Sequence, residues 1–260
     1  MIRELKNLYQ YRELVWVWAM REIRIRYKQS LLGAGWAVLQ PLALMAVFTV
    51  VFSRFARVPS DGAPYPVFAY LALVPWTFFA TSVTFGCTSL INNINLVTKI
   101  YFPREVLPLG QVIAALLDFL IASVTFFGLL LLYRIPLSFQ LLWLLLLFPV
   151  QLLLTVGITL PVAALTASFR DFRFVVPLGL QIWMFATPIV YPVSLVPARF
   201  QSLYLLNPMS SLIVAYRDVI LRQTPPNPLL VVWVSSVSIL LFWFGYRYFK
   251  RVETDLADVI

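Results

Sequence analysis

The chain contains no histidine and a single cysteine, Cys87. Without histidine it lacks the commonest metal ligand and the commonest general base near neutral pH. A Ser–His or Cys–His nucleophile pair is excluded, and no Cys/Asp cluster has metal-ligand spacing. One thiol cannot close an intrachain disulfide, so cysteine usage says nothing about redox compartment. Charge is scarce as well: 12% of the 260 residues are charged and 61% are hydrophobic, where a soluble domain is nearer a quarter charged and half apolar. So little polar surface could not cover a core in water, and lipid must be the solvent. There is also no G-x-x-x-x-G-K-[ST] run. Gly33-Ala34-Gly35-Trp36 lacks both the lysine and a preceding strand. The chain alone is therefore expected to hydrolyse nothing and to carry no cofactor or metal.

What is present is long apolar runs. A spanning helix needs about 20 mostly apolar residues. Six stretches qualify, at about 31–53, 67–91, 109–133, 141–166, 174–191 and 228–246, and the one charge inside them is Asp118. The prediction is an all-α integral membrane protein forming one domain over 1–260. The formal charge of +9 then points to a cytoplasmic face and anionic lipid rather than nucleic acid. With the N-terminus inside, the inner segments hold seven, two, two and three Lys/Arg, against six in the outer ones. This predicts cytoplasmic termini, with no cleaved signal because a long charged segment precedes the first apolar run. The stretch 200–216 is apolar but broken at Asn207-Pro208. It is expected as part of an extracytoplasmic hairpin over about 192–223, re-entrant or interfacial, with Asn207 as N-cap and Pro208 at the first helical position.

Four features could carry function. The first is a helix over about 8–29, with Trp16, Met20, Ile23 and Tyr27 on one face and Arg21, Arg24 and Lys28 on another, and with Glu22 able to pair with Arg26 at i+4. That pattern suits a helix in the membrane interface, either a plain anchor or a docking surface for a cytosolic partner. The second is the short loop joining spans two and three. It carries Lys99, Arg104 and Glu105 around Ile100, Tyr101 and Phe102, apolar residues expected to be exposed and to suit a protein contact. The third is a stripe on span two: Thr77, Thr81, Thr84, Thr88 and Asn92 at i, i+4, i+7, i+11 and i+15, flanked by Phe78 and Phe85. Hydroxyls in spanning helices commonly bond their own i−4 carbonyl or pack helices together. The alternative is a wet surface, in which rings stack on sugar C–H faces and hydroxyls take hydrogen bonds. Phe48 and Phe52 of span one could join such a wall. The fourth is Asp118, whose carboxylate at a helix centre costs about 2.5–3.5 kcal/mol and should face protein or water, as an interhelical partner or a gate.

Several separated segments resemble one family. Arg21–Leu42 (REIRIRYKQSLLGAGWAVLQPL) is similar to the opening of the membrane subunit of ABC type-2 polysaccharide exporters, among them O-antigen and teichoic-acid exporter permeases. KIYFPREVLPL at 99–109, FRDFRFVVP at 169–177, TPIVYP at 187–192 and YLLNPMSSLIVAYRD at 204–218 resemble its later segments. The resemblance implies that two copies form a channel in a bacterial inner membrane. It implies ATP and its magnesium on two copies of a separate P-loop ATPase subunit, whose motions are received by the N-terminal helix and the 99–105 loop. The implied cargo is an undecaprenyl-linked polysaccharide, as in lipopolysaccharide biosynthesis. Relatives that export teichoic acids, drugs, haem or nodulation factors keep that substrate open. Two other classes fit less well: a membrane enzyme of lipid-linked sugar metabolism wants paired acids or histidines, and a proton-coupled transporter wants several intramembrane ionisable groups or an inverted repeat.

Overall fold

The computed structural model describes residues 8–253 except Gln29 and Tyr101. It is all-helical among those residues. Helix α1 (Arg12–Tyr27) precedes the first span, which comprises a 3-10 turn at Gly33–Gly35, α2 (Trp36–Phe48) and a π-helical end, Thr49–Phe55. Then follow α3 (Tyr65–Thr88), the short α4 (Ile94–Lys99), α5 (Val106–Leu132), α6 (Leu144–Ser168) behind a 3-10 turn, α7 (Phe172–Phe185), α8 (Ala198–Leu205), α9 (Pro208–Arg217) with a π turn to Arg222, and α10 (Pro228–Glu253). Among the described residues, five helical stretches are long and apolar enough to cross a bilayer: Gly33–Phe55, Tyr65–Thr88, Val106–Leu132, Phe139–Ser168 and Pro228–Glu253.

Helix α3 is the hub. Helices α2, α5, α6, α7 and α9 all pack against it. Most of its side chains are buried, from Val67 and Phe68 down to Phe79, Val83 and Cys87. Between α6 and α10 the two backbones touch. A Cβ on Gly157 would stand 2.6 Å from the backbone nitrogen of Phe242, and one on Gly245 would collide with the carbonyl of Gly157. Small residues at a helix contact let main chains approach, which matters in lipid because lipid tails are as apolar as leucine and supply little drive of their own.

The fifth predicted span differs from expectation. It ends at Phe185 rather than near residue 191. Fourteen residues rise about 21 Å, short of a hydrocarbon core of about 30 Å. Irregular backbone at that depth is tolerated only where protein satisfies it, and here three side chains do so. Asn207 Nδ2 donates to the Ala186 carbonyl at 3.1 Å, Arg217 to the Ile189 carbonyl at 2.9 Å, and Tyr65 to the Val190 carbonyl at 2.7 Å. Thr187, Ile189 and Val190 are buried accordingly. Asn207 is the expected N-cap of α9, accepting from Met209 N at 3.0 Å with Pro208 at the first helical position. The hairpin is therefore not a surface element throughout. Its second arm, α9, is inserted among α3, α6 and α10, with Met209, Leu212, Ile213 and Val219 in the core.

The glycine contact makes a test. Gly245→Leu should destabilise the detergent-solubilised protein by about 1–3 kcal/mol through overpacking, read as a fall in thermal unfolding temperature. Gly128→Ala, where a Cβ meets nothing within 4 Å, should cost nothing. Equal behaviour of the two variants would contradict the close approach.

Candidate functional site

The side of α3 left uncovered by its neighbours is the hydroxyl stripe. Thr77, Thr81, Thr84 and Thr88 are all partly exposed, and Phe85 beside them is 47% exposed. Residues on the far side, Val83 and Leu90, are fully buried. The stripe lies between two helices that are themselves poorly covered. On one flank α7 meets α3 through Trp183, against Trp76 and Phe79 at ring distances of 6.4 and 5.2 Å. On the other, Trp36, Ala37, Gln40 and Pro41 of the first span close a cavity of about 360 Å3 with Thr77, Thr81, Phe78 and Phe85. Thr77 and Thr88 bond carbonyls three residues back, at 3.0 and 3.4 Å, so the self-bonding alternative holds for part of the stripe. Regular helix stops at Thr88, and Asn92 sits beyond it, exposed, in a 3-10 turn over Ile91–Asn93. Phe78 reaches the cavity but is otherwise packed on Phe119 and Phe148. Phe48 does not join this wall. It is 9% exposed and turned into the core, edge-on to Phe52 at 5.7 Å.

Asp118 lines the same cavity and takes two partners from α1, the Arg26 guanidinium and the Tyr27 hydroxyl. It is thus an interhelical partner, and Arg26 answers its charge. The expected Glu22–Arg26 pair gives way to contacts with α5: Glu22 accepts from Gln111 Nε2 at 2.7 Å, and Arg26 turns to Asp118 and over the Phe85 ring at 4.7 Å. Farther along, Trp18 covers Gly110 so closely that a Cβ there would strike its ring. These contacts advance by eight residues on both helices, from 18 to 26 and from 110 to 118. Helix α1 therefore runs alongside the first turns of α5. Its covered face is Trp18, Ala19, Glu22 and Arg26, while Trp16, Arg24 and Lys28 are exposed, Arg21 is exposed over the Trp18 ring and donates to Asn93 Oδ1 at 3.3 Å, and Met20, Ile23 and Tyr27 are half-buried. The i, i+4, i+8 spacing of Trp18, Glu22 and Arg26 was the signal for this seam, masked because two of the three are charged.

The 99–105 loop divides differently from expectation. Lys99 is exposed and Ile100 is 55% exposed, Tyr101 lies outside the described residues, and Phe102 is half-buried against the core. Glu105 is 1% exposed and salt-bridged to Lys250 at 2.6 Å, near the end of α10. Burial, and next the Glu253 carboxylate, raise the Glu105 pKa, while Lys250 lowers it. Arg104 donates its backbone N–H to Glu253 at 2.8 Å and its guanidinium to the Glu253 carbonyl. Arg104 and Glu105 thus fasten the loop to the last helix instead of presenting charge outward. Nothing local in the sequence marks this, since the partners lie some 145 residues apart.

Residues 13–221 match the ABC-2 type transporter family. Over its whole length the chain is 33% identical to the O-antigen export system permease protein RfbA of Myxococcus xanthus, also along all of that protein. A Klebsiella pneumoniae protein of the same name is 29% identical, covering 98% of this chain and 97% of the relative. The polysialic acid transport protein KpsM of Escherichia coli is 26% identical, covering 90% of this chain and 91% of the relative. With most of its length matched, and with five span-length helices and a shorter apolar one among the described residues, the chain belongs to the ABC-2 type transporter family as a multi-pass membrane permease.

Proposed function

We propose that this chain is the channel-forming subunit of an ATP-driven exporter that moves an undecaprenyl-linked polysaccharide, O-antigen or a similar glycan, across a bacterial cytoplasmic membrane. The observation that carries the reading is the open threonine and aromatic face on a helix otherwise buried all round. A hydrophilic polymer cannot cross about 30 Å of hydrocarbon without a continuous polar or aromatic wall. The names of the matched relatives, O-antigen and polysialic acid transport proteins, supply the substrate class. Teichoic acid, a drug or another small lipid is the alternative cargo within the family.

Two copies would complete the conduit. Helix α7 presents Phe174, Leu178, Ile182 and Phe185, and the first span presents Leu39, Val47 and Val50, all exposed. Both surfaces border the stripe, so a second copy seated against them would face stripe to stripe and exclude lipid. ATP and magnesium would sit on two copies of a cytosolic P-loop ATPase. Helix α1 and the Lys99–Ile100 edge are the surfaces that suit this partner, with both termini on the cytoplasmic side. Pushing on α1 would bear directly on Asp118 and the cavity wall, and pushing on the loop would bear on α10 through Glu105 and Lys250. The competing class, a membrane enzyme acting on lipid-linked sugars, would need a pair of acids facing one cavity. Asp118 stands alone in its cavity among the described residues and is engaged by Arg26.

Cells lacking the chain should accumulate the lipid-linked glycan on the inner side of the membrane, and normal surface glycan in such cells would overturn the reading. Cysteines at 77, 81, 84 and 88 in a Cys87→Ser background should react with a small water-soluble thiol reagent during transport, while those at 83 and 90 stay protected. Equal labelling of both faces would make the stripe a packing surface. Ile100→Asp, which touches neither Glu105 nor Glu253, should lower transport-coupled ATP hydrolysis severalfold with membrane insertion unchanged. Unimpaired coupling would move the docking surface elsewhere. Arg104 is a poorer probe, because its reversal also breaks the tie to Glu253.

A further inference from the structure

At the end of the molecule opposite α1, a second cavity of about 320 Å3 lies between the 60–64 loop, the 134–136 turn and the end of α9. Three arginines line it, Arg134, Arg217 and Arg222, with Asp61. Arg222 engages both nearby acids, Asp61 at 2.8 Å and Asp218 at 2.7 Å. Neither of the other two arginines has an acid partner among the described residues. Arg217 is 5% exposed, and its guanidinium lies over the Phe68 ring at 3.5 Å. One of its Nη atoms donates to the Ile189 carbonyl, while its Nε has no hydrogen-bond partner. Arg134 stands exposed at the rim, on left-handed backbone with φ of 55°, and Gln223, also left-handed, donates to the Pro136 carbonyl beside it at 3.0 Å. A buried guanidinium with an unused donor and no salt-bridged acid is a costly arrangement even with the Asp61 carboxylate in the same cavity, and a bound oxyanion would relieve it.

We propose that this cavity is a binding site for a phosphate group, with Arg217 at its base and Arg134 at its rim. Arg222 would shape the wall, and its two acids hold it there. The guanidinium fork matches phosphate oxygens in pairs, which an ammonium could not do. The phosphate has two possible carriers of the same chemistry: the headgroup of a membrane phospholipid, or a phosphorylated molecule brought through the channel. The second rests on the export reading above, and the site itself does not. In that reading this end is extracytoplasmic, where a phosphate-bearing lipid carrier would finish its passage.

The full chain, purified in non-ionic detergent, would be dialysed against radiolabelled inorganic pyrophosphate, and separately examined by native mass spectrometry with phosphatidic acid and phosphatidylcholine. Saturable binding of one pyrophosphate or one phosphatidic acid per chain is expected. It should weaken about tenfold, one strong charge-assisted pair, in Arg134→Gln. That residue is exposed, so the variant should fold normally. Arg217→Lys, which keeps the charge and loses the fork, should weaken binding too, and Arg199→Gln, outside the cavity, should not. Phosphatidic acid without pyrophosphate would assign a lipid headgroup, and pyrophosphate would assign a soluble or transported phosphate. Absence of saturable binding to both probes, or wild-type binding by Arg134→Gln, overturns the site. Loss of binding in a strain whose glycan export still depends on this chain would sink the site alone. Binding by a chain dispensable for export would sink the export reading alone.

Discussion

Everything in this molecule is arranged around one helix that has run out of neighbours on a single side. Helix α3 is enclosed by the first span, α5, α6, α7 and α9, and its remaining side is the threonine stripe. Its kink-prone Pro75 lies within this cage. Gln151 of α6 donates to the Pro75 carbonyl at 2.9 Å and accepts from the Tyr216 hydroxyl of α9 at 2.7 Å. One amide thus joins three helices at the point where proline interrupts the backbone pattern. Polar contacts of this kind average about 0.6 kcal/mol in bilayers. They set register and orientation, while close packing such as the Gly157–Gly245 contact supplies most of the cohesion.

The two ends of the molecule use charge in different ways. Around α1 and the 99–105 loop, charges turned inward meet partners on other elements: Arg26 with Asp118, Glu22 with Gln111, Lys250 with Glu105 and Arg104 with Glu253. Each of these ties crosses between elements distant in sequence, joining α1 to α5 and the 99–105 loop to α10. At the opposite end Arg217 and Arg134 keep donors without acids. The first arrangement suits the relay of a mechanical input, and the second suits a ligand.

Composition and periodicity were enough for the solvent, the fold class and the stripe. Long apolar runs must be helices in lipid, because a backbone there has to satisfy its own N–H and C=O groups. The 3.6-residue period places Thr77, Thr81, Thr84 and Thr88 on one face whatever surrounds the helix. Asn207-Pro208 could be read as a helix start because capping is local. What the sequence could not decide is which side of each element finds a neighbour. Glu22 and Arg26 satisfy a local i+4 rule, yet they pair with Gln111 and Asp118 of α5 instead of with each other. Phe48 and Phe85 look alike in the chain, but one enters the core and the other faces the cavity. The fifth span is apolar to residue 191 and still ends at Phe185, because Asn207, Arg217 and Tyr65 stabilise the carbonyls of a chain reversal there. Local spacing fixes which residues share a face, and only the packed helices fix what that face meets.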